Sequence, residues 1–187
     1  EKKARYIAAL VRITKDYGDH KITARAFHYW ALAVHEDGDW VQARKIAQQG
    51  VQRAPTSIGA NRCRQLIQTI EARHLRVQSE RVWNAPWPKI DIVYRNIEQL
   101  HFRVVKFDVD RWLKKNSYVA EQFSPAESAA LLRKIPVADW AVKLPKTEDY
   151  QQKSLVIDAP KTLKKGAYFL IASPDAKFQD VDNIVTI

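Results

Sequence analysis

The sequence predicts two domains of different class, a helical domain over residues 1–78 and an all-β domain over residues 79–187. Apolar residues recur with the period of an amphipathic helix in the first part, and they alternate with polar residues in the second. Pro86 and Pro88 lie on either side of Trp87, where one pattern gives way to the other. Proline lacks the N–H that a helix needs and disfavours helical geometry in the residue before it, so we expect no helix to cross this segment.

The composition excludes several classes of protein. With 187 residues, of which 46% are hydrophobic, the chain has enough apolar material for one large or two modest cores. No apolar run approaches the roughly 20 residues that cross a bilayer, and no signal-peptide pattern is present. The single cysteine, Cys63, excludes an internal disulfide framework and a thiolate-rich metal site. Since the sequence begins at Glu1 and contains no Met, we expect a processed fragment of a longer protein.

The net charge of +10 lies mainly in the helical part. Residues 1–78 carry 14 basic and 7 acidic side chains, and residues 79–187 carry 17 and 14. Acidic residues and glutamines interrupt the basic excess, which argues against a nucleic-acid partner. Two interpretations stay open: a solvated helix face, which is the more common case, and attraction to an acidic partner or an anionic membrane surface.

Four amphipathic helices are expected in the first domain, each bounded by turn residues. Thr23 is the expected N-cap of the second helix. The expected helices are Lys2–Lys15, Ile22–Glu36, a segment that follows Asp39 and ends near Arg53, and a segment from about Ser57 to Val77.

The turn between the second and third helices is the most informative local string. Gly38 can adopt the positive φ that ends one helix, and the Asp39 carboxylate can cap the next. Trp40 is expected to pack in the elbow, and Ala43 is small enough for two helices to approach closely. Pro55 closes the unit, since proline cannot continue the third helix.

These residues resemble a tetratricopeptide repeat, a helix–turn–helix unit that ends in a proline, over roughly residues 24–56. The chain departs from the repeat at Ala31, where the repeat has Gly, and at Gly50, where it has Ala. A single repeat cannot bury its apolar face alone. The resemblance therefore implies either a packing module, which a single repeat favours, or a peptide-binding groove.

The second domain is expected to hold six or seven short antiparallel strands. Two alternating runs, Ile90–Arg95 and Leu100–Val105, are joined through Asn96, so we expect them to form an antiparallel pair. Ser124 and Glu127 form a capping-box signature for an inserted helix. The inserted helix is expected over Pro125–Lys134, and the later strands over Ala138–Leu144, Gln152–Asp158, Phe169–Ala172 and Asn183–Ile187.

Tyr168 enters one of these strands two residues after Gly166. This arrangement resembles the tyrosine corner of β-sandwiches, in which the phenol hydrogen-bonds to nearby backbone. The number and spacing of the strands are similar to those of fibronectin type III domains. The predicted fold is therefore a helical domain with a tetratricopeptide-like hairpin, followed by an antiparallel β-sandwich of the fibronectin type III kind with one short inserted helix.

The order of these segments resembles the N-terminal region of bacterial alpha-2-macroglobulins of the Bacteroides type. In that family, helices precede the first of many macroglobulin β-sandwich domains. The strings that carry the resemblance are spread over most of the chain: Tyr29–Leu32, Gly38–Trp40, Ala47–Pro55, Gln68–Ala72, Tyr94–Asn96, Leu100–Lys106, Asp149–Gln151 and Gly166–Ser173.

Members of this family trap proteases: cleavage of a bait segment collapses the molecule around the attacking protease, and many members add a reactive thioester. The resemblance implies that this chain is a non-catalytic segment of an endopeptidase inhibitor, without a cofactor, in the periplasm or cell envelope. Its implied partners are the other domains of the parent chain and the parent's target proteases, with any membrane anchoring coming through a lipid on the parent. The bait and thioester regions are expected elsewhere, because Arg64-Gln65 follows Cys63 where a thioester has a Gly-Glu-like spacer.

The residues themselves offer no catalytic or metal-binding motif. The five histidines lack the HExxH spacing, and there is no GxSxG string or glycine-rich phosphate loop, so we expect no enzyme and no metal. Trp83 and Trp87, with Pro86 and Pro88, are candidates for a wedge between the two domains. The alternative function is a tetratricopeptide-type adaptor that binds a peptide or an acidic partner.

Overall fold

The computed structural model describes residues 1–115, 123–179, 181 and 183–187. It combines helices with two antiparallel sheets, a mixed α and β architecture. The chain divides into two compact units, one of residues 1–72 with 147–151 and one of residues 73–146 with 152–187. The helices are α1 (Lys2–Asp16), α2 (Lys21–Glu36), α3 (Trp40–Arg53), α4 (Ile58–Glu71), α5 (Val109–Lys115) and α6 (Pro125–Leu132). The strands are β1 (His74–Ser79), β2 (Lys89–Arg95), β3 (Gln99–Phe107), β4 (Ala138–Lys143), β5 (Lys153–Asp158), β6 (Ala167–Ser173) and β7 (Asn183–Thr186).

The helical unit is built on α2, α3 and α4, each of which contacts the other two, while α1 packs on α2. Alanines at the contacts let the helices approach closely. The core of this unit consists of Phe27, Ala31, Ala43, Ile46, Ala47, Cys63, Leu66 and Ile70. The segment 147–151 belongs to the same unit: Tyr150 packs against this core, and Gln151 Nε2 donates to the Gly38 carbonyl at 3.0 Å.

Gly50 lies at a close contact of α3 with α2 and α4. A Cβ atom at this position would lie 2.7 Å from Cys63 Sγ and 2.7 Å from Phe27 Cβ. Ordinary contacts between carbon atoms are about 3.5–4.0 Å long, so even a methyl group does not fit without a shift of the helices. The packing of α3 at this position therefore favours a residue without a side chain.

The start of α2 corrects one prediction. The N-cap is His20, whose Nδ1 accepts from the Ile22 N–H at 3.3 Å, and not Thr23. Thr23 lies in the first turn of the helix and is fully buried, so its side chain faces the core and not the exposed N–H groups of the helix end. The predicted cap was wrong because the helix begins at Lys21, which places Thr23 inside its first turn.

The end of α4 corrects a second prediction. The helix ends at Glu71 and not at Val77, and residues 74–79 form strand β1. Leu75 and Val77 alternate with exposed residues and pair with β2, an arrangement that overrides the helix-like spacing of the preceding segment. The division between the two units accordingly falls after Ala72, whereas the sequence placed the domain boundary after residue 78.

The β unit consists of a three-stranded sheet in the order β1-β2-β5 and a four-stranded sheet in the order β4-β3-β6-β7. All strand pairs in the described residues are antiparallel. The core lies between the two sheets and includes Ile90, Ile92 and Tyr94 of β2, Leu100, Phe102 and Val104 of β3, and Tyr168, Leu170 and Ala172 of β6.

The predicted pairing of residues 90–95 with residues 100–105 was wrong, because β2 and β3 belong to different sheets. The connection between them crosses from one sheet to the other. Asn96 has a φ of +56° at this bend, and Ile97 is buried in the core between the sheets. Local alternation predicted both strands correctly, but it carries no information on which strand is the partner.

The outer face of the four-stranded sheet is covered by a second cluster of buried side chains. The inserted helices α5 and α6 contribute to it, and α5 was absent from the predicted elements. The capping box of α6 is confirmed: the Glu127 N–H donates to Ser124 Oγ at 3.3 Å, and the Ser124 N–H donates to Glu127 Oε2 at 2.8 Å. The cluster consists of Val105, Phe107, Leu131, Phe169, Ile171 and Phe178, with Trp112 and Leu132 packed against it.

The edge of β1 is partly satisfied by a side chain from β7. Asn183 Oδ1 accepts from the Val77 N–H at 3.2 Å, and Asn183 Nδ2 donates to the Leu75 carbonyl at 3.3 Å. The amide thus takes the place of a backbone partner on an edge strand, where N–H and C=O groups would otherwise face solvent.

Candidate binding groove

The two tryptophans predicted to form a domain wedge lie in the connection between β1 and β2. Their rings meet edge to face, with centroids 6.5 Å apart and planes at 76°. Both indoles are half-buried and pack against the core between the two sheets of the β unit. These contacts identify Trp83 and Trp87 as packing residues of that unit; the wedge between domains stays a prediction.

Hydrogen bonds fix the position of Trp83 and of the segment that carries it. Trp83 Nε1 donates to Ser79 Oγ at 3.0 Å and to the Glu80 carbonyl at 2.9 Å. Ser79 Oγ in turn donates to the Lys89 carbonyl at 3.1 Å, which joins the two ends of the connection. Of the two prolines, Pro86 follows a cis peptide bond, and the carbonyl of the buried Pro88 accepts from the Ala159 N–H at 3.4 Å.

A groove of about 620 Å³ lies beside these tryptophans, and we call it the tryptophan groove. Its walls come from the 81–87 segment, the end of β3, the turn before β6 and the end of β7, all within the β unit. The lining is mostly apolar: Val82, Trp83, Trp87, Phe107, Val109, Leu163, Ala167, Tyr168 and Ile187, together with Arg81, Asn84, Lys164, Lys165, Gly166 and Thr186.

The groove is electropositive. Among the described residues, its lining contains Arg81, Lys164 and Lys165 but no Asp or Glu. Both lysines are exposed, and neither forms an ion pair with a carboxylate in the described part of the chain. An anion that approaches Lys164 and Lys165 therefore meets two ammonium groups that have no carboxylate partner among the described residues.

Tyr168 positions the turn that carries the two lysines. Its phenol donates to the Lys164 carbonyl at 2.8 Å, which is the hydrogen bond expected of a tyrosine corner. The Tyr168 ring itself is buried in the core between the sheets. The rim of the groove is thus tied to the buried core of the unit.

The predicted repeat-turn residues lie together in the helical unit. Gly38 has a φ of +89°, and Asp39 Oδ1 accepts from the Gln42 N–H at 2.9 Å as the N-cap of α3. The Trp40 ring stacks on His35, with centroids 4.7 Å apart, and Ala43 is fully buried. Pro55 follows the end of α3, and its carbonyl accepts from Arg64 Nη2 at 2.7 Å.

A second electropositive cluster, which the sequence did not single out, surrounds Tyr29 on α2. Arg62 Nη1 donates to the Tyr29 phenol oxygen at 3.2 Å, and hydrogen bonds from Arg25 and then from Arg62 lower the pKa of this phenol. The neighbouring His28 has its pKa lowered, first by burial and then by the charge of Arg62. Neither arginine forms an ion pair with a described carboxylate.

Cys63 has the environment of a packing residue. It is fully buried, its Sγ donates to the Ala24 carbonyl at 3.6 Å, and burial raises the pKa of the thiol to about 11. A thiol in this state is a poor nucleophile at neutral pH. In the described ranges, the His, Cys, Asp and Glu side chains do not form a group of three that could hold a metal ion.

None of the helices in the described residues combines the length and apolar character needed to span a bilayer.

Comparisons with protein-family models, with curated proteins and with solved structures find no match for this chain.

Sequence reasoning identified Trp83 and Trp87 but missed the groove that they help to form. Lys164 and Lys165 are adjacent in the sequence and precede a turn glycine, a signal that could have marked them as a rim. Their proximity to the tryptophans could not have been read from the sequence, because it depends on strand order.

Proposed function

We propose that this chain is a non-catalytic structural and interaction segment of an alpha-2-macroglobulin-like protease inhibitor of the cell envelope. The observation that carries the proposal is the strand order β1-β2-β5 and β4-β3-β6-β7 in a unit that follows a set of helices. This order is the one expected for a fibronectin type III-like sandwich, the kind of domain that the sequence resemblance implies. The tyrosine-corner hydrogen bond of Tyr168 adds to this support.

In this proposal the sandwich is a rigid link between neighbouring domains of the parent. Large side chains such as Tyr94, Phe102 and Leu170 are almost entirely inaccessible to solvent. Each such side chain contributes roughly 1.5–3 kcal/mol through burial, so the two sheets resist sliding past one another. Strain that develops when a bait segment is cut would then pass through the unit as a whole.

The helical hairpin α2–α3 acts in this proposal as a tetratricopeptide-like packing module. The positive φ of Gly38, the Asp39 cap and the buried Ala43 support this assignment. Tyr150 and Gln151 already occupy part of its surface, which favours packing over an open peptide groove.

The test uses the protein that carries this chain and a protease with two substrates. A trap encloses the protease without blocking its active site, so we expect cleavage of a large protein substrate to fall while cleavage of a small chromogenic peptide persists. The 1–187 chain alone should leave both activities unchanged. The proposal would be contradicted if the 1–187 chain alone inhibited cleavage of both substrates. It would also be contradicted if the intact protein inhibited cleavage of neither substrate.

A second candidate function is an adaptor that binds an acidic partner through the helical unit. The Tyr29 cluster favours it, since Arg25 and Arg62 converge on one phenol oxygen and neither has a described carboxylate partner. The double change Arg25→Gln with Arg62→Gln should abolish salt-sensitive binding of an acidic peptide to this unit. Unchanged binding in this variant would exclude the cluster as the site.

A further inference from the structure

We propose that the tryptophan groove binds a peptide that carries an apolar side chain next to carboxylates. The volume of about 620 Å³ falls within the range of roughly 300–1,000 Å³ that is typical of ligand sites in proteins. Its floor is aromatic and aliphatic, with Trp83, Trp87 and Leu163 facing the space. When an apolar side chain of the ligand packs against these three residues, its surface is removed from water, which favours binding.

The groove is formed before any ligand arrives. The Trp83 ring is held by two hydrogen bonds from its Nε1, and the Trp87 ring packs against it edge to face. The opposite wall is held by the Tyr168 hydrogen bond to the Lys164 carbonyl. Since these side chains are already ordered, binding costs less conformational entropy than it would at a flexible surface.

Four side chains of the lining carry hydrogen-bond donors that are unpaired in the described part of the chain. Within the described residues, Trp87 Nε1 and the Asn84 amide have no hydrogen-bond partner, and the Lys164 and Lys165 ammonium groups have no carboxylate partner. No Asp or Glu among the described lining residues satisfies them. A ligand that is complementary to this site carries carboxylates opposite the lysines and carbonyl oxygens opposite Trp87 and Asn84.

A peptide fits this set of groups better than a fatty acid does. A fatty acid presents one carboxylate and an apolar chain without further acceptors, so it leaves the Trp87 N–H and the Asn84 amide unpaired along the groove. A peptide presents a carbonyl oxygen at every residue as well as its side-chain carboxylates. The proposal does not depend on membership of the macroglobulin family.

The test is a titration of the complete ¹⁵N-labelled chain, followed through the indole N–H signals in the NMR spectrum. The probe is an acetylated and amidated hexapeptide in which Glu and Leu alternate, and the matched probe has Gln in place of each Glu. We expect the Glu probe to shift the Trp87 indole signal, which the Trp87→Phe variant assigns by its disappearance. The Gln probe should bind more weakly, and higher salt should weaken binding of the Glu probe.

Three double variants locate the site. The change Lys164→Gln with Lys165→Gln should weaken binding of the Glu probe about fivefold, the effect expected for two exposed ion pairs. The changes Lys143→Gln with Lys177→Gln alter the net charge equally in the same unit, but neither residue lines the groove, so binding should be almost unchanged. Arg25→Gln with Arg62→Gln makes the same charge change at the Tyr29 cluster and should likewise have little effect. Circular dichroism checks that each variant is folded.

Several results would overturn the proposal. The first is a Trp87 signal that does not move at millimolar concentrations of the Glu probe, and the second is equal binding of the Gln probe. A third is equal weakening by all three double variants, which would indicate attraction to net charge alone. Loss of binding only in the arginine variant would assign the peptide to the helical unit. Displacement of the Glu probe by decanoate at a lower concentration than the probe itself would assign the groove to fatty acids.

Discussion

The close approach at Gly50 provides a direct test of the helix packing. A Cβ atom at this position would lie 2.7 Å from both Cys63 Sγ and Phe27 Cβ, roughly 1 Å short of an ordinary contact. Overpacking of this kind costs about 1–3 kcal/mol. Replacing Gly by Ala inside a helix gains about 1 kcal/mol through backbone propensity. The two effects oppose each other, and we expect Gly50→Ala to lower the free energy of unfolding by up to about 2 kcal/mol.

The propensity term can be measured in the same helix. Gln49 is the neighbouring residue on α3 and is exposed, so the difference between Gln49→Ala and Gln49→Gly reports the Ala–Gly difference without a change in packing. Urea denaturation of all four proteins, followed by helical circular dichroism, gives the free energies. The packing cost is the measured change in the free energy of unfolding for Gly50→Ala after the Ala–Gly propensity difference has been subtracted. If Gly50→Ala stabilises the chain by the same amount as the Gln49 pair predicts, the helices are not limited by contact here, and the reasoning is refuted.

Three further predictions concern individual residues. Asn183→Ala removes two hydrogen bonds to the edge of β1 and should lower the free energy of unfolding by about 1–3 kcal/mol in urea denaturation; an unchanged midpoint would contradict the bridging role. Asp39→Ala removes the N-cap of α3 and should cost about 1 kcal/mol, whereas Asp37→Ala, which removes an exposed ion pair to Lys3, should cost less. Cys63 should resist a thiol-specific reagent at pH 8 in the folded chain and react on denaturation, because burial raises its pKa to about 11 and leaves little thiolate. Rapid labelling of the folded chain would show that the thiol is accessible.

The local features of the fold were predictable because their causes are local. The Gly38–Asp39 turn and the Ser124–Glu127 capping box depend on groups only a few residues apart, and both are present. The strands β2 and β3 were likewise evident from their alternation. What the sequence could not provide was the partner of each strand, since β2 pairs with β5 across more than fifty residues of intervening chain.

The same limit applies to the candidate site. Trp83 and Trp87 were identifiable as large aromatic side chains beside prolines, and their role as a wedge between domains stays a prediction. The structure places them in one wall of a groove whose other wall carries Lys164 and Lys165, some eighty positions further along the chain. A site assembled by strand order has no contiguous sequence signature. The short β1 was missed for a related reason, since its pairing with β2 decides its conformation.

The Asn183 amide has a consequence for how copies of this sandwich can associate. An exposed edge strand can recruit a strand from another molecule, because it presents a row of unpaired backbone groups. On β1, the Val77 N–H and the Leu75 carbonyl already bond to Asn183 and are withdrawn from any incoming strand. Addition of a strand from another molecule to β1 is therefore hindered. The Asn183→Ala variant lacks this protection, and we expect it to form ordered aggregates through β1 more readily than the chain with Asn183.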